Sequence, residues 1–314
     1  MITTVDYHTG GEPFRIVTGG TPPIDGTTVR ERWERASRTD SAADRVRGLL
    51  CHEPRGHADM YGCFLVPPDD EGAHLGALFW HRTGFSAACG HGTIALGAWA
   101  VQSGAVDADP DGETEVVVDV PSGRVAARVT CRGGDVEAVT FRNVPSYVIA
   151  RDVPVDCPDV PAGTTVDLAS GGAVYAALPT SVFGPGWVVE PGRLDAYIRA
   201  GRQIAAHLAD RGVYGVIFHN DHRNVTVFGG DSVDRSPCGS GTSARLALLH
   251  DAGRLGTGEE SVHESITGSR FVARIVDVTP DGVVTEVGGM AYRTGEHTFT
   301  LDPRDPFPRG FSLR

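Results

Sequence analysis

Residues 89–95 read C-G-H-G-T-I-A and residues 238–244 read C-G-S-G-T-S-A, so five of seven positions agree at an offset of 149 residues. Each stretch is built around a cysteine, Cys89 or Cys238, and runs into an Ala/Leu-rich segment, 92–102 or 241–250, that reads as a helix. A cysteine at a helix start faces unpaired backbone N–H groups and the positive end of the helix dipole. Both favour thiolate, so the expected pKa of each lies below the free value of roughly 8.5. The glycines that follow clear side chains from the turn, which lets backbone amides approach an anion such as a substrate carboxylate. Two equivalent thiols suit one reaction class well. To invert a stereocentre alpha to a carboxylate, a base takes the proton from one face and an acid delivers one to the other. Donors on the carboxylate must stabilise the carbanion, and each positioned acid or base adds roughly 10²–10⁴-fold.

The bland alternative is a pair of buried, inert thiols, the commoner fate of a lone cysteine; duplication of the whole context reverses that preference. Asp234, four residues before Cys238, is a candidate to orient the site or bind a substrate ammonium, against the plainer role of turn cap. His91 follows Cys89-Gly90 and is a candidate substrate contact. Its counterpart is Ser240, so the two copies differ chemically. Arg55 and His57 are candidates for outer support only. His52, His57, His219 and His222 have no metal-ligand spacing, and no metal is expected.

The elements that must position these residues are duplicated too. D-x-x-T-G-G-x-x-F at 6–14 matches D-x-x-S-G-G-x-x-Y at 167–175, Tyr61-Gly62 matches Tyr214-Gly215, and a Ser-Gly…Ala-Arg-Val pattern at 122–129 roughly matches Thr-Gly…Ala-Arg-Ile at 267–275. The pairs keep one order while their offsets shrink, as two copies with unequal loops would show. Strand-length apolar runs dominate: 2–6, 61–66, 75–80, 115–120 and 125–129, then 165–168, 174–178, 213–218, 224–228, 271–278 and 283–287. Surface helices are expected at 28–40 with 42–49, and at 194–211. The segment after Cys89 is nearly all apolar, which marks a buried helix. The expectation is an α+β chain of two pseudo-symmetric domains, each a barrel-like, mostly antiparallel sheet around a central helix. The first half comprises 1–146 plus about 293–314 and carries Cys89; the second comprises 147–292 and carries Cys238.

Composition narrows the function. A chain of 314 residues has length for about two domains. The net charge of −12 argues against nucleic acid or an anionic membrane as partner. Apolar runs are too short to span a membrane as helices, and the first residues lack a signal-peptide pattern, which points to the cytoplasm. Six cysteines without C-x-x-C spacing argue against zinc or a disulfide scaffold. All 28 basic residues are arginine; without lysine there is no Schiff base to pyridoxal phosphate and no phosphate-loop lysine.

The motifs resemble those of the proline racemase family: H-T-G-G-E-P-x-R-x-V at 8–17, E-P-R-G-H-x-D-M at 53–60, C-G-H-G-T-I at 89–94 and D-R-S-P-C-G-x-G-T-S-A at 234–244. The resemblance implies the two-domain fold shared with diaminopimelate epimerase, with the site in the cleft, and a homodimer. It implies catalysis without a cofactor by Cys89 and Cys238, with carboxylate contacts from the amides of Gly90, His91, Gly239 and Ser240 and with Asp234 near the substrate nitrogen. The family divides into proline racemases, 4-hydroxyproline 2-epimerases and trans-3-hydroxy-L-proline dehydratases. Residues 60–97 and Gly171-Gly172-Ala173 look most like the dehydratases, which typically carry Thr where this chain has Cys238. Dehydration expels the α-proton and a β-hydroxyl on one face and needs no second thiol; inversion needs an acid opposite. Weighing the second cysteine above its surroundings, the expectation is a racemase or epimerase of proline or a hydroxyproline, with dehydration as the alternative. Two departures from the family pattern are Ala88 where Met is usual and Ser240 where Thr is common; the first bears on pocket shape and leaves the substrate open.

Overall fold

The computed structural model describes residues 1–220, 222–229 and 231–313, and the chain divides into two compact units, Met1–Thr140 with Met290–Arg314 and Phe141–Gly289. The first unit contains β1 (Ile2–Thr9), β2 (Glu12–Gly19), α1 (Val29–Ala36), α2 (Ala42–Cys51), β3 (Tyr61–Val66), β4 (Leu75–His81), β5 (Gly84–Ser86), α3 (Gly90–Gln102), β6 (Glu113–Val120), β7 (Gly123–Arg132) and most of β8 (Asp135–Arg142). The second contains β9 (Tyr147–Pro154), β10 (Thr165–Ser170), β11 (Val174–Pro179), α4 (Leu194–His207), β12 (Val213–Asn220), β13 (Arg223–Phe228), β14 (Val233–Asp234), α5 (Gly239–Asp251), β15 (Glu260–Ser265), β16 (Arg270–Thr279) and β17 (Gly282–Gly289). The last strand, β18 (Ala291–Phe299), pairs with β1 and belongs to the first unit.

Each unit repeats one internal pairing scheme. In the first, β18, β1 and β2 are antiparallel neighbours, β2 joins β3 in parallel, β3 and β4 are antiparallel, and β4 joins β6 in parallel before the β6–β7 hairpin. In the second, β9, β10 and β11 are antiparallel, β11 joins β12 in parallel, β12 and β13 are antiparallel, and β13 joins β15 in parallel before β15–β16–β17. A parallel join needs a crossover. In both units the first crossover is helical on the outer face, by α1 and α2 or by α4, and the second contains the cysteine turn and the central helix.

Side-chain alternation explains why these strands enclose a helix. On β10 to β13, Leu168, Ala176, Val216, Phe218, Val225 and Val227 join one core with Tyr197, Ala200 and Ile204 of α4. Their neighbours Ala169, Tyr175, Ala177, Ile217 and Phe228 point the other way, into a core with Cys238, Ala244 and Leu248 of the α5 segment. Strands buried on both faces read as continuous apolar runs, which is why the sequence shows runs rather than alternation. In the first unit, Val17, Phe64, Leu78 and Trp80 pack outward on Val29, Ala36 and Leu50, while α3 packs on β1, β2, β6, β7 and β18. Helix α3 is buried from Gly90 through Ala100.

Two helices differ from those expected, the first for a local reason. The charged segment 28–49 is two helices: Ser41 restarts the chain by accepting from the Asp44 N–H at 2.9 Å, as Thr28 does for Glu31 at 3.2 Å. Helix α4 ends at His207, and residues 209–211 form a separate 3₁₀ turn. Strands β2, β5, β8, β9, β14, β15 and β18 were not expected from the sequence. No helix among the described residues is long and apolar enough to cross a membrane.

Gly97 sets the approach of α3 to the sheet: a Cβ there would lie 2.6 Å from the Ala127 Cβ and 3.2 Å from Val139 Cγ1. Exchange to alanine gains about 1 kcal/mol of helix propensity, against about 1–3 kcal/mol for overpacking a rigid contact. Gly97→Ala is therefore expected to destabilise the chain by about 1 kcal/mol in urea unfolding, and a stabilised variant would refute this packing.

Candidate active site

In the first unit the β1–β2 turn holds the start of α3. Gly10 and Gly11 connect the strands with φ of 58° and 90°, the left-handed pair a two-residue hairpin turn requires. Thr9, just before them, donates its hydroxyl to the His91 carbonyl at 3.0 Å. Cys89 is the N-cap of α3, with φ −156°, and its Sγ accepts the Gly92 N–H at 3.3 Å. The first turn of a helix has no intrahelical acceptors for its N–H groups; with the Gly92 N–H turned to sulfur, the amides of Gly90 and His91 are left at the helix mouth. Both ring nitrogens of His91 lie 3.6 Å from the Cys89 Sγ. Burial pushes the His91 pKa down to about 3, so the imidazole beside the sulfur is neutral. It is wedged edge-on to Phe14 at 5.7 Å and Tyr61 at 4.9 Å. Gly92 must be glycine: a Cβ would fall 2.4 Å from the Phe14 ring and 2.7 Å from Sγ.

The second unit builds the same turn with different chemistry. Gly171, in the turn between β10 and β11, comes so close to α5 that a Cβ would meet the Ser240 carbonyl oxygen at 2.1 Å. Asn143 donates to the Gly171 carbonyl at 2.8 Å and fixes that turn. Cys238 precedes α5 with φ +65°, a left-handed conformation that costs a non-glycine residue of order 1–3 kcal/mol and clusters at functional sites. Its thiol donates to the Tyr175 hydroxyl at 3.8 Å, and that hydroxyl shares a 2.7 Å hydrogen bond with Ser240 Oγ. The D-R-S-P-C run folds on itself: Asp234 Oδ1 accepts from the Ser236 N–H at 2.8 Å and hydroxyl at 2.7 Å, and Ser236 Oγ accepts from the Cys238 N–H at 3.1 Å. Asp234 is fully buried, and its Oδ2 has no hydrogen-bond partner among the described residues. Asn224 Oδ1 and Thr226 Oγ1, on the neighbouring strand, are also buried without one.

The electrostatics correct one expectation. Cys238 is not acidified: burial pushes its thiol well above the ordinary value and Asp234 adds to this, while the Gly241 N–H and the Tyr175 and Thr226 hydroxyls pull back less. The magnitudes decide it. Complete burial of a charge costs up to roughly 4–7 kcal/mol, against about 0.3–2 kcal/mol from a helix start. Asp234 is shifted up to about 6 by burial, with the Ser236 donors and the neighbouring Cys238 thiol holding it back. Cys51 is pushed up to about 12 and Cys63 further, again by burial, as unreactive core thiols.

The structure thus groups Cys89, Gly90 and His91 in one unit, and Cys238, Gly239, Ser240 and Asp234 in the other. Arg55 and His57 do not join them. Arg55 pairs with Asp305 and donates to the Phe307 carbonyl at 3.2 Å, while His57 is exposed. The motif arginine Arg15 is structural: it pairs with Asp6 at 2.8 Å and donates to the carbonyls of Leu50 and Arg55. Sequence reading missed Tyr175, Thr226, Asn224 and Ser236. Tyr175 appeared only as the last residue of the duplicated S-G-G-x-x-Y pattern, Ser236 only as a letter of the D-R-S-P-C motif, and Asn224 and Thr226 only as members of an expected strand.

A profile of the proline racemase family matches residues 4–214 and 216–312. A relative from Bacillus thuringiensis subsp. konkukian named trans-3-hydroxy-L-proline dehydratase is 40% identical, covering 100% of this chain and 98% of its own. One from Burkholderia multivorans named 3-hydroxyproline 2-epimerase is 39% identical, covering 100% and 98%. The solved structure of a hydroxyproline epimerase from Agrobacterium vitis, with bound trans-4-OH-L-proline, matches at 29% identity with a TM-score of 0.92, over 99% of this chain and 95% of that one. The fold is α+β, with barrel-like, mostly antiparallel sheets around central helices, and the chain belongs to the proline racemase family.

Asp234 gives a pH signature. Its folded pKa of about 6 exceeds the ordinary 3.8, so between those values the folded chain binds more protons than the unfolded one and stability falls as pH rises. Asp234→Asn keeps Oδ1 for Ser236 and removes the buried charge. Relative to the parent, the variant should gain more stability at pH 7.5 than at pH 4 in urea unfolding; an equal difference at both would show that Asp234 is not a destabilised carboxylate.

Proposed function

We propose that the chain dehydrates trans-3-hydroxy-L-proline, with Cys89 as the base that takes the Cα proton. The full-length kinship with the Bacillus dehydratase carries this reading and moves it away from inversion, which the sequence had favoured on the strength of Cys238. In this substrate the Cα–H and the 3-hydroxyl lie on one face of the ring. The Cys89 thiolate accepts the proton, the Cα–H electrons form the Cα–C3 double bond, and the C3–O bond breaks. The hydroxyl leaves as water with the proton returned by the same thiol, and the enamine tautomerises to pyrroline-2-carboxylate. No cofactor enters the balance. The amides of Gly90 and His91, beside Cys89 at the start of α3, are assigned to the substrate carboxylate, where negative charge develops.

Inversion at Cα stays as a second reading because Cys238 keeps its proton and sits in a strained conformation, as a proton donor to a carbanion would, and because the Burkholderia relative is named an epimerase. The two readings separate in D₂O. Incubated with trans-3-hydroxy-L-proline, the chain should produce pyrroline-2-carboxylate by NMR, and L-proline and trans-4-hydroxy-L-proline should give none. Cys89→Ser should lower the rate by roughly 10²–10⁴-fold, whereas Cys238→Ser should leave dehydration within about tenfold. If cis-3-hydroxy-D-proline deuterated at Cα accumulates instead, and Cys238→Ser abolishes it, inversion is the reaction.

A further inference from the structure

We infer that Tyr175 is a positioning residue for Cys238: its hydroxyl, anchored by Ser240, holds the thiol in place and is poised to donate to the sulfur when the proton leaves. The inference deepens the reading of Cys238 as a proton-carrying group, but its geometry lies wholly within the second unit. Tyr175 is buried on the inner face of β11, against Tyr214 edge-to-face at 6.0 Å. Its hydroxyl lies 2.7 Å from Ser240 Oγ and 3.8 Å from the Cys238 Sγ. A buried phenol hydroxyl needs partners, and it can both give and accept a hydrogen bond. In the resting arrangement the thiol donates to it. Once Cys238 has given up its proton, the phenol turns its own O–H to the sulfur, and the Ser240 hydroxyl donates in its place. No proton leaves Tyr175; the chain of hydroxyls only reverses direction.

The first unit shows why this is a distinct device. Phe14 stands where the second copy has Tyr175, and its ring packs on His91. There the polar neighbour of the sulfur is the His91 imidazole, at 3.6 Å; here it is a pair of hydroxyls. Ring and polar partner have been exchanged together, Phe14 with His91 for Tyr175 with Ser240, so each thiol keeps one support of a different kind. The other groups that act on Cys238 are Asp234 from β14, the Gly241 N–H from α5 and Thr226 from β13, with Arg235 and Tyr214 acting on Asp234 and Tyr175 respectively. Tyr175 differs from Asp234 in lacking charge, so it supports the thiolate without repelling it.

The test is labelling of the intact chain by methyl methanethiosulfonate at pH 8 without substrate, followed peptide by peptide in mass spectrometry. Tyr175→Phe removes one oxygen and keeps the ring. It should slow labelling of Cys238 about tenfold, the worth of one hydrogen bond to an anion, and leave Cys89 unchanged. Ser240→Ala, which removes only the anchor, should slow Cys238 by a smaller factor. Cys238-dependent deuterium exchange at the substrate Cα should then fall in kcat with KM within twofold. Unchanged or faster labelling of Cys238, or equal slowing of both cysteines, would overturn the role. Because labelling needs no turnover, it stands or falls separately from the choice of substrate and reaction.

Discussion

The close approach of a strand–strand turn to the first turn of a buried helix governs both units. In one, the Thr9 hydroxyl grips the His91 carbonyl; in the other, Gly171 lies so near the Ser240 carbonyl that no side chain fits. The contact follows from the helices themselves. Helix α3 is apolar on nearly every face and has no stable place at a surface; α5 carries Ser240, Thr242, Ser243 and Arg245 yet is buried from Gly239 through Leu248, so strands wrap both. Wrapping leaves only the ends open to polar chemistry. A cysteine that caps such a helix is held by the sheet around it rather than by its own loop, and the glycine-rich turn lets that sheet close to van der Waals distance. The duplicated Thr/Ser-Gly-Gly and Cys-Gly-x-Gly patterns are thus two sides of one contact.

The same enclosure opposes what a helix start does for a thiol. Orphan N–H groups favour the anion, but a site dry enough to align them also removes the water that would solvate a charge. At Cys238, where Asp234 stands beside the sulfur, burial prevails and the thiol keeps its proton. At Cys89 the Gly92 N–H points at the sulfur and the adjacent imidazole is neutral. Equivalent helix starts therefore carry unequal sulfur environments, and the inequality comes from the side chains beside each sulfur and from the left-handed backbone at Cys238, where Cys89 is extended.

Much of this was legible in the sequence because it is local or repeated. The cysteine turns, the buried character of the segments after them and most strands with continuous apolar runs follow from residue type and spacing. Most of the unread strands interrupt their apolar residues with charge or proline, and β5 and β14 are only three and two residues long. β2 contains Pro13 and Arg15, and Arg15 is buried with Asp6 and the carbonyls of Leu50, in the last turn of α2, and Arg55 meeting its guanidinium. β18 is largely exposed and polar, and its strand character comes from pairing with β1, nearly the whole chain away in sequence. For the site, sequence named Asp234 but not its raised pKa, which comes from complete burial. It showed Tyr175 as one letter of a repeat but not the hydroxyl's partners, which come from α5. The features that escaped reading are non-local: partners, burial and the left-handed backbone at Cys238.

The division between frame and side chains explains how one fold serves reactions with different proton requirements. Proton removal alpha to a carboxylate asks for a base and for donors on the carboxylate, and both come from backbone geometry at a capped helix. The fate of the resulting carbanion, either loss of a neighbouring hydroxyl or return of a proton to the other face, depends on whether a second group holds a proton ready. The Cys238 thiol is kept protonated by burial and by Asp234, and at the offset of the duplicated cysteine turns the position of Asp234 holds Phe85 in the first unit. A change of reaction outcome thus requires no change of fold, only of the few side chains that set the state of the second sulfur.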